Sequence, residues 1–268
     1  MTVGPTRNVA DRLHAKAANR LLDLLGHEPR ITDGDALPPL AHWLHFGGIE
    51  PYCERGPDGH RRRGDFLPAL PHLPRRMWAG SRVTFHGALV AGREAERTST
   101  IVDVTEKEGR SGLLAFATVR HEVREGGDLK VSEDQTLVFR EASDGPVARP
   151  DAPGPTPRAE WHRDVVPDAT MLFRYSALTW NSHRIHYDAD YCRDVEGYPN
   201  LVIHGPLTAT LLLDLAMRHD DRAVASFSFT AKAPFLLGDT VALDGSAEGA
   251  LVASRDGLPS VLAEVEFA

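Results

Sequence analysis

The sequence predicts an α+β chain of two similar units, each an antiparallel sheet curved around a helix. Three observations predict it: a helix apolar on every side over 206–217, a helix-then-strands order that occurs twice, and a proline-rich break between the two. Leu207, Ala209, Leu211, Leu212, Leu213, Leu215, Ala216 and Met217 leave that helix almost no polar side. Such a helix must be buried most of the way round, and it is too short to span a bilayer. A sheet wrapped about it is the simplest cover. Two such units side by side would also cover each other's open sheet edge.

In chain order, Val9, Leu13, Ala17, Leu21, Leu22 and Leu25 recur at spacings near 3.6 and end at Gly26, a helix with a stop. A short apolar stretch, 40–46, follows Pro38-Pro39. Strands are expected at 82–90, 98–104, 112–119 and 131–139. Pro146, Pro150, Pro153, Pro155 and Pro157 then exclude helix and central strand. The expected division is 1–145, a linker over 146–165, and 166–268. In the second part, Met171-Leu172-Phe173 reads as a strand leading into a polar loop. A short helix runs from Asp188 as N-cap to Val195, with Gly197 as stop. Extended Leu201-Val202-Ile203 leads to the buried helix, and strands follow at 223–230, 240–243, 250–254 and 260–267.

Composition narrows the class. The 268 residues are 42% hydrophobic and 25% charged, ordinary globular usage. A formal charge of −8 gives no basic field for nucleic acid. There is no apolar run of ~18 residues, and Met1–Pro5 lack the apolar core of a secretory signal. Two distant cysteines, Cys53 and Cys192, predict a reducing, cytoplasmic setting and no disulfide framework.

Candidate chemistry gathers in the second part. His183, His186 and His204 fall close in sequence, the first two on the polar loop. Histidine exchanges protons near neutral pH. Asn181 precedes His186 by five residues, and its carboxamide suits holding a water, accepting one hydrogen bond and donating another. His204-Gly205-Pro206 marks the start of the buried helix, where unpaired N–H groups suit a developing oxyanion. Arg75, Arg76 and Arg61–Arg63 are candidates for phosphates or a carboxylate, with Arg184 a further one. Surface pairing is the competing reading for all of them. No His-Glu-x-x-His, Gly-x-Ser-x-Gly, P-loop or Gly-x-Gly-x-x-Gly occurs, and no metal site is expected.

Tyr175-Ser-x-Leu-Thr-x-Asn181-x-His183-x-Ile-His186-Tyr-Asp188, followed by Val-Ile-His204-Gly205-Pro-Leu, resembles the MaoC-like hydratases and dehydratases. Leu73-Pro-Arg75-Arg76-Met-Trp-Ala-Gly80 is similar to their type 2 hydroxyacyl-thioester dehydratase and mesaconyl-CoA hydratase branch. The resemblance implies a double hot-dog and reversible addition of water to a 2-enoyl thioester, with no cofactor besides the thioester substrate. It implies His186 and Asn181 as the catalytic pair, with Asn181 standing where the wider family carries Asp. Gly205, His204, Tyr175 and His183 are implied around the oxyanion and substrate. One active site per chain is expected, the first part shaping the acyl pocket.

Four readings stay open: a CoA-thioester hydratase on a small branched or dicarboxylic enoyl group, a dehydratase on acyl-carrier-protein thioesters, a non-catalytic acyl-thioester binder, and a thioesterase using Asp214. Expected partners are an acyl-CoA or a carrier protein and a second copy of the chain, with neither nucleic acid nor membrane.

Overall fold

A computed structural model describes residues 4–47, 52–109, 112–142, 145–147 and 159–268. They form two compact units: one of Met1–Trp78, Val83–Ala142 and Tyr175–Ser182, the other of Ala79–Arg82, Ser143–Arg174 and His183–Ala268.

The first unit holds β1 (Thr6–Arg12), α1 (Ala15–Leu25), β2 (Arg75–Phe85), β3 (Glu94–Gly109), β4 (Gly112–Glu125) and β5 (Asp128–Arg140). Its strand order is β1-β3-β4-β5-β2. The β4–β5 turn is Gly126-Gly127, flanked by the Glu125↔Asp128 pair. Both glycines have positive φ, the two-residue geometry whose twist matches the strands. Buried Leu73, Ile101, Ala115, Ala117, Val119, Leu137 and Phe139 make the core, with Trp78 packed against it. Inside the same unit, Glu133 accepts from His42 Nε2 at 3.1 Å and Trp43 Nε1 at 3.0 Å. The His121 ring bonds Ser99 through Nδ1 and Gln135 through Nε2.

The second unit holds β6 (Trp161–Val165), α2 (Ala169–Thr179), α3 (Ala189–Tyr191), α4 (Gly205–Met217), β7 (Val224–Ala231), β8 (Val241–Gly245), β9 (Ala250–Arg255) and β10 (Leu258–Phe267). Helix α2 runs out of it, its last turn grouping with the first unit. The strand order is β7-β10-β9-β8-β6, and all five strands pack on α4. Every α4 residue from Pro206 to Ala216 is buried, as its apolar circumference requires. The buried carboxylate of Asp214 is bracketed by Arg163 at 2.8 Å and Arg218 at 2.9 Å. Gly80, in the β2 segment that groups here, lies where a Cβ would strike the Phe229 carbonyl. Among the described residues no helix is long and apolar enough to cross a membrane.

Several expectations are corrected. Val9 lies in β1 rather than a helix, paired to β3 from Thr6↔Thr100 to Arg12↔Glu94. A four-residue interval such as Val9–Leu13 keeps one face in a strand as well as in a helix, so spacing alone misleads. The strand expected at 82–90 is β2, which starts after Pro74 and ends at Phe85. Met171-Leu172-Phe173 is helical because Asp168 caps α2, its Oδ1 accepting from Met171 N–H at 2.7 Å. Leu201-Val202-Ile203 forms one bridge, Val202↔Leu236, rather than a strand. The linker expected over 146–165 contains β6, paired to β8 from Trp161↔Gly245 to Val165↔Val241. Pro150, Pro153, Pro155 and Pro157 lie outside the described residues.

Asp214→Ala leaves two arginines facing a buried gap, and chemical denaturation should show a loss of about 2 kcal/mol. Desolvation pulls the His121 imidazole down to about 4. The unfolded chain takes up that proton near 6.5 and the folded chain only near 4, so stability should fall as pH drops through that window. His121→Gln should flatten the fall in thermal midpoints measured across it.

Candidate active site

In the second unit, three buried imidazoles converge. His186 sits at the end of a short 3-10 turn, Arg184–His186, and its ring stacks on His204 with centroids 3.6 Å apart. His183 meets the His186 ring edge-on at 5.6 Å. The turn is clamped from both ends. Val202 N–H donates to the Ile185 carbonyl at 2.9 Å, and the Val202 carbonyl lies 2.7 Å from His186 Nδ1. A carbonyl only accepts, so Nδ1 carries a proton, and in the neutral ring Nε2 then has the lone pair. Asp188 caps α3 through Tyr191 N–H and holds the Arg184 guanidinium at 2.7 Å, over the Tyr191 ring.

His204 is the N-cap of α4 and wholly buried. Burial, with the field of His186 second, drives its basicity well below the ordinary value, so it stays neutral. The next residue, Gly205, opens the helix, and Pro206 follows at its first turn, where no N–H is needed. An imidazole with one ring nitrogen fixed and the N–H of Gly205 at a helix start are thus brought together through His204. That is equipment for moving a proton while stabilising a negative oxygen.

In the first unit, α2 ends in a Schellman turn. Trp180 takes φ +53°, and Asn181 N–H donates to the Ser176 carbonyl at 2.8 Å. A bulky residue with positive φ is strained, and Trp180 is 75% exposed, so burial does not compensate. The left-handed residue turns the chain out of the helix at Asn181. Tyr175, expected on a loop, is buried within α2, its carbonyl accepting from Thr179 Oγ1 at 2.8 Å.

The arginines are largely committed. Arg75 is buried in β2, beside Arg76. Arg61 pairs with Glu54 and Asp65. Arg62 donates to the Arg55 carbonyl, and Arg63 to those of Leu73 and Pro74. Arg184, offered above for a carboxylate, is engaged by Asp188 instead. Sequence reasoning missed Asp58 and His60. They are hydrogen-bonded to each other at 3.1 Å and only a fifth to a quarter exposed.

The family model for hydroxyacyl-thioester dehydratase type 2 matches residues 40–237. The chain belongs to that family. It is therefore an enzyme of the hydratase/dehydratase class. It is 44% identical over 239 residues to the mesaconyl-C(4)-CoA hydratase of Chloroflexus aurantiacus, covering 87% of this chain and 83% of that protein. It is 27% identical to a mitochondrial type 2 hydroxyacyl-thioester dehydratase of Schizosaccharomyces pombe, covering 76% and 74%. A MaoC-like dehydratase structure superposes with TM-score 0.70 at 12% identity, covering 99% of this chain and 98% of that one. A Mycobacterium tuberculosis protein described as a double hot-dog superposes at 0.60 with 14% identity, covering 100% and 97%. The fold is accordingly the double hot-dog.

The strained turn yields a prediction. Trp180→Gly relieves the positive φ and should raise stability by roughly 0.5–1 kcal/mol, read as a shift in denaturant midpoint.

Proposed function

We propose that the chain catalyses reversible hydration of a 2-enoyl-CoA to a 3-hydroxyacyl-CoA, on a branched dicarboxylic group of the mesaconyl type. One observation carries the reading: the Nδ1 bond to Val202 leaves the neutral His186 ring with its Nε2 lone pair, on an imidazole stacked against His204, the N-cap of α4. In the hydration direction, Asn181 holds the water. His186 Nε2 takes one of its protons as the water oxygen bonds C3. The electron pair of the C2–C3 double bond moves toward the thioester oxygen, and the first N–H of α4, at Gly205, stabilises the enolate. The imidazolium then returns the proton to C2. The Asn181 role rests on its five-residue spacing from His186 in the motif.

The identity of 44% with a hydratase named for a CoA ester favours CoA over a carrier protein. A purely binding module has no use for an imidazole held in one tautomer. The thioesterase reading loses support because Asp214 is held between Arg163 and Arg218.

The test follows absorbance at the enoyl-thioester band with crotonyl-, mesaconyl-, itaconyl- and long-chain CoA esters. Mesaconyl-CoA should turn over fastest. His186→Ala should lower kcat by about 10²–10⁴-fold with the fold intact. Wild-type turnover in that variant would refute the assignment.

A further inference from the structure

The turn Gly56-Pro57-Asp58-Gly59-His60 belongs to the first unit, as does the segment Tyr175–Ser182 that carries Asn181. The two are tied directly: Ser182 Oγ donates to the Gly59 carbonyl at 2.6 Å. Gly59, the residue tied, sits between Asp58 and His60 in sequence.

The turn is built to keep that carbonyl still. Gly56 N–H donates to the His60 carbonyl at 2.6 Å, and Gly59 N–H to the Gly56 carbonyl at 3.1 Å. Gly59 has φ +91°, a conformation that side chains rarely adopt. Asp58 grips His60 twice, Oδ1 accepting from the backbone N–H and Oδ2 from ring Nδ1, each at 3.1 Å. The Arg55↔Arg61 bridge and the bond from Arg62 N–H to the Glu54 carbonyl close the hairpin below. A carboxylate that binds both the backbone and the ring of one histidine leaves little rotational freedom in the carbonyl between them.

We infer that Asp58 and His60 form a positioning pair for the reaction, acting through Gly59 and Ser182 to hold the Asn181 carboxamide in register. The inference rests on the Asn181 role proposed above. The pair's charge state is stable over the working range. Desolvation pushes the Asp58 carboxyl up, but the hydrogen bond and charge of His60, with Arg76, bring it below the usual range. Desolvation and Arg76 bring His60 to about 4. The grip therefore persists through neutral pH and weakens only in acid.

Two measurements on the full chain test this. Amide hydrogen exchange of the peptide spanning 179–183 should rise in Ser182→Ala and in His60→Ala, and stay at the wild-type level in Ser182→Thr. Steady-state hydration should show kcat lowered roughly 10- to 100-fold in both Ala variants, with KM within twofold, and Ser182→Thr near wild type. In an Asn181→Ala background the same Ala substitutions should cost nothing further, because the group they position is gone. Unchanged exchange and kcat in both Ala variants would overturn the pair, as would a full additional loss in that background. Raised exchange in a chain whose wild type hydrates none of the esters would instead uphold the mechanical tie and overturn the hydratase reading.

Discussion

The 2.7 Å contact between His186 Nδ1 and the Val202 carbonyl does more than hold a side chain. A neutral imidazole has one proton and one lone pair on its ring nitrogens, and a partner that only accepts decides which nitrogen has which. Val202 also donates to the Ile185 carbonyl, so the loop bearing the base is fastened at two points to one residue. Two residues later that backbone becomes the start of α4. The base is thus tied across sixteen residues to the short run of chain that opens α4.

That arrangement needs a helix that does not shift. Each leucine buried on α4 contributes ~1.5–3 kcal/mol, and all five strands of the second unit pack on the helix. Its hydroxyls are satisfied within the helix, Thr210 donating to the Pro206 carbonyl at 2.8 Å. Asp214 is the exception to the apolar rule, and its two arginines make the exception tolerable: a buried charge is acceptable when it is paired and costly when it is not. The helix start is left to chemistry while its body serves stability.

How far the sequence could be read follows from the range of the interactions involved. The α4 helix was legible because its pattern admits one environment. Asp188 and Gly197 were legible as start and stop, since capping is a local hydrogen-bond matter. Met171–Phe173 was not, because three apolar residues in a row suit a strand and a buried helix alike. The candidate histidines were legible by spacing and resemblance. The direction of the His186 lone pair was not, as it depends on a carbonyl sixteen residues away. The Asp58–His60 turn was not legible as a support, because Gly, Pro and Asp signal a turn without saying what docks on it.

By itself, then, the sequence determined the elements whose signals are local: caps, turns, the apolar helix, the repeated order and the motif that identifies the family. Tertiary structure alone decided which arginines are engaged, which imidazole is stacked and which nitrogen is protonated, and what Ser182 grips. Those outcomes are contacts between residues distant along the chain, such as the 123 positions separating Ser182 from Gly59. Residue type limits what each partner can do, but only folding selects the partner.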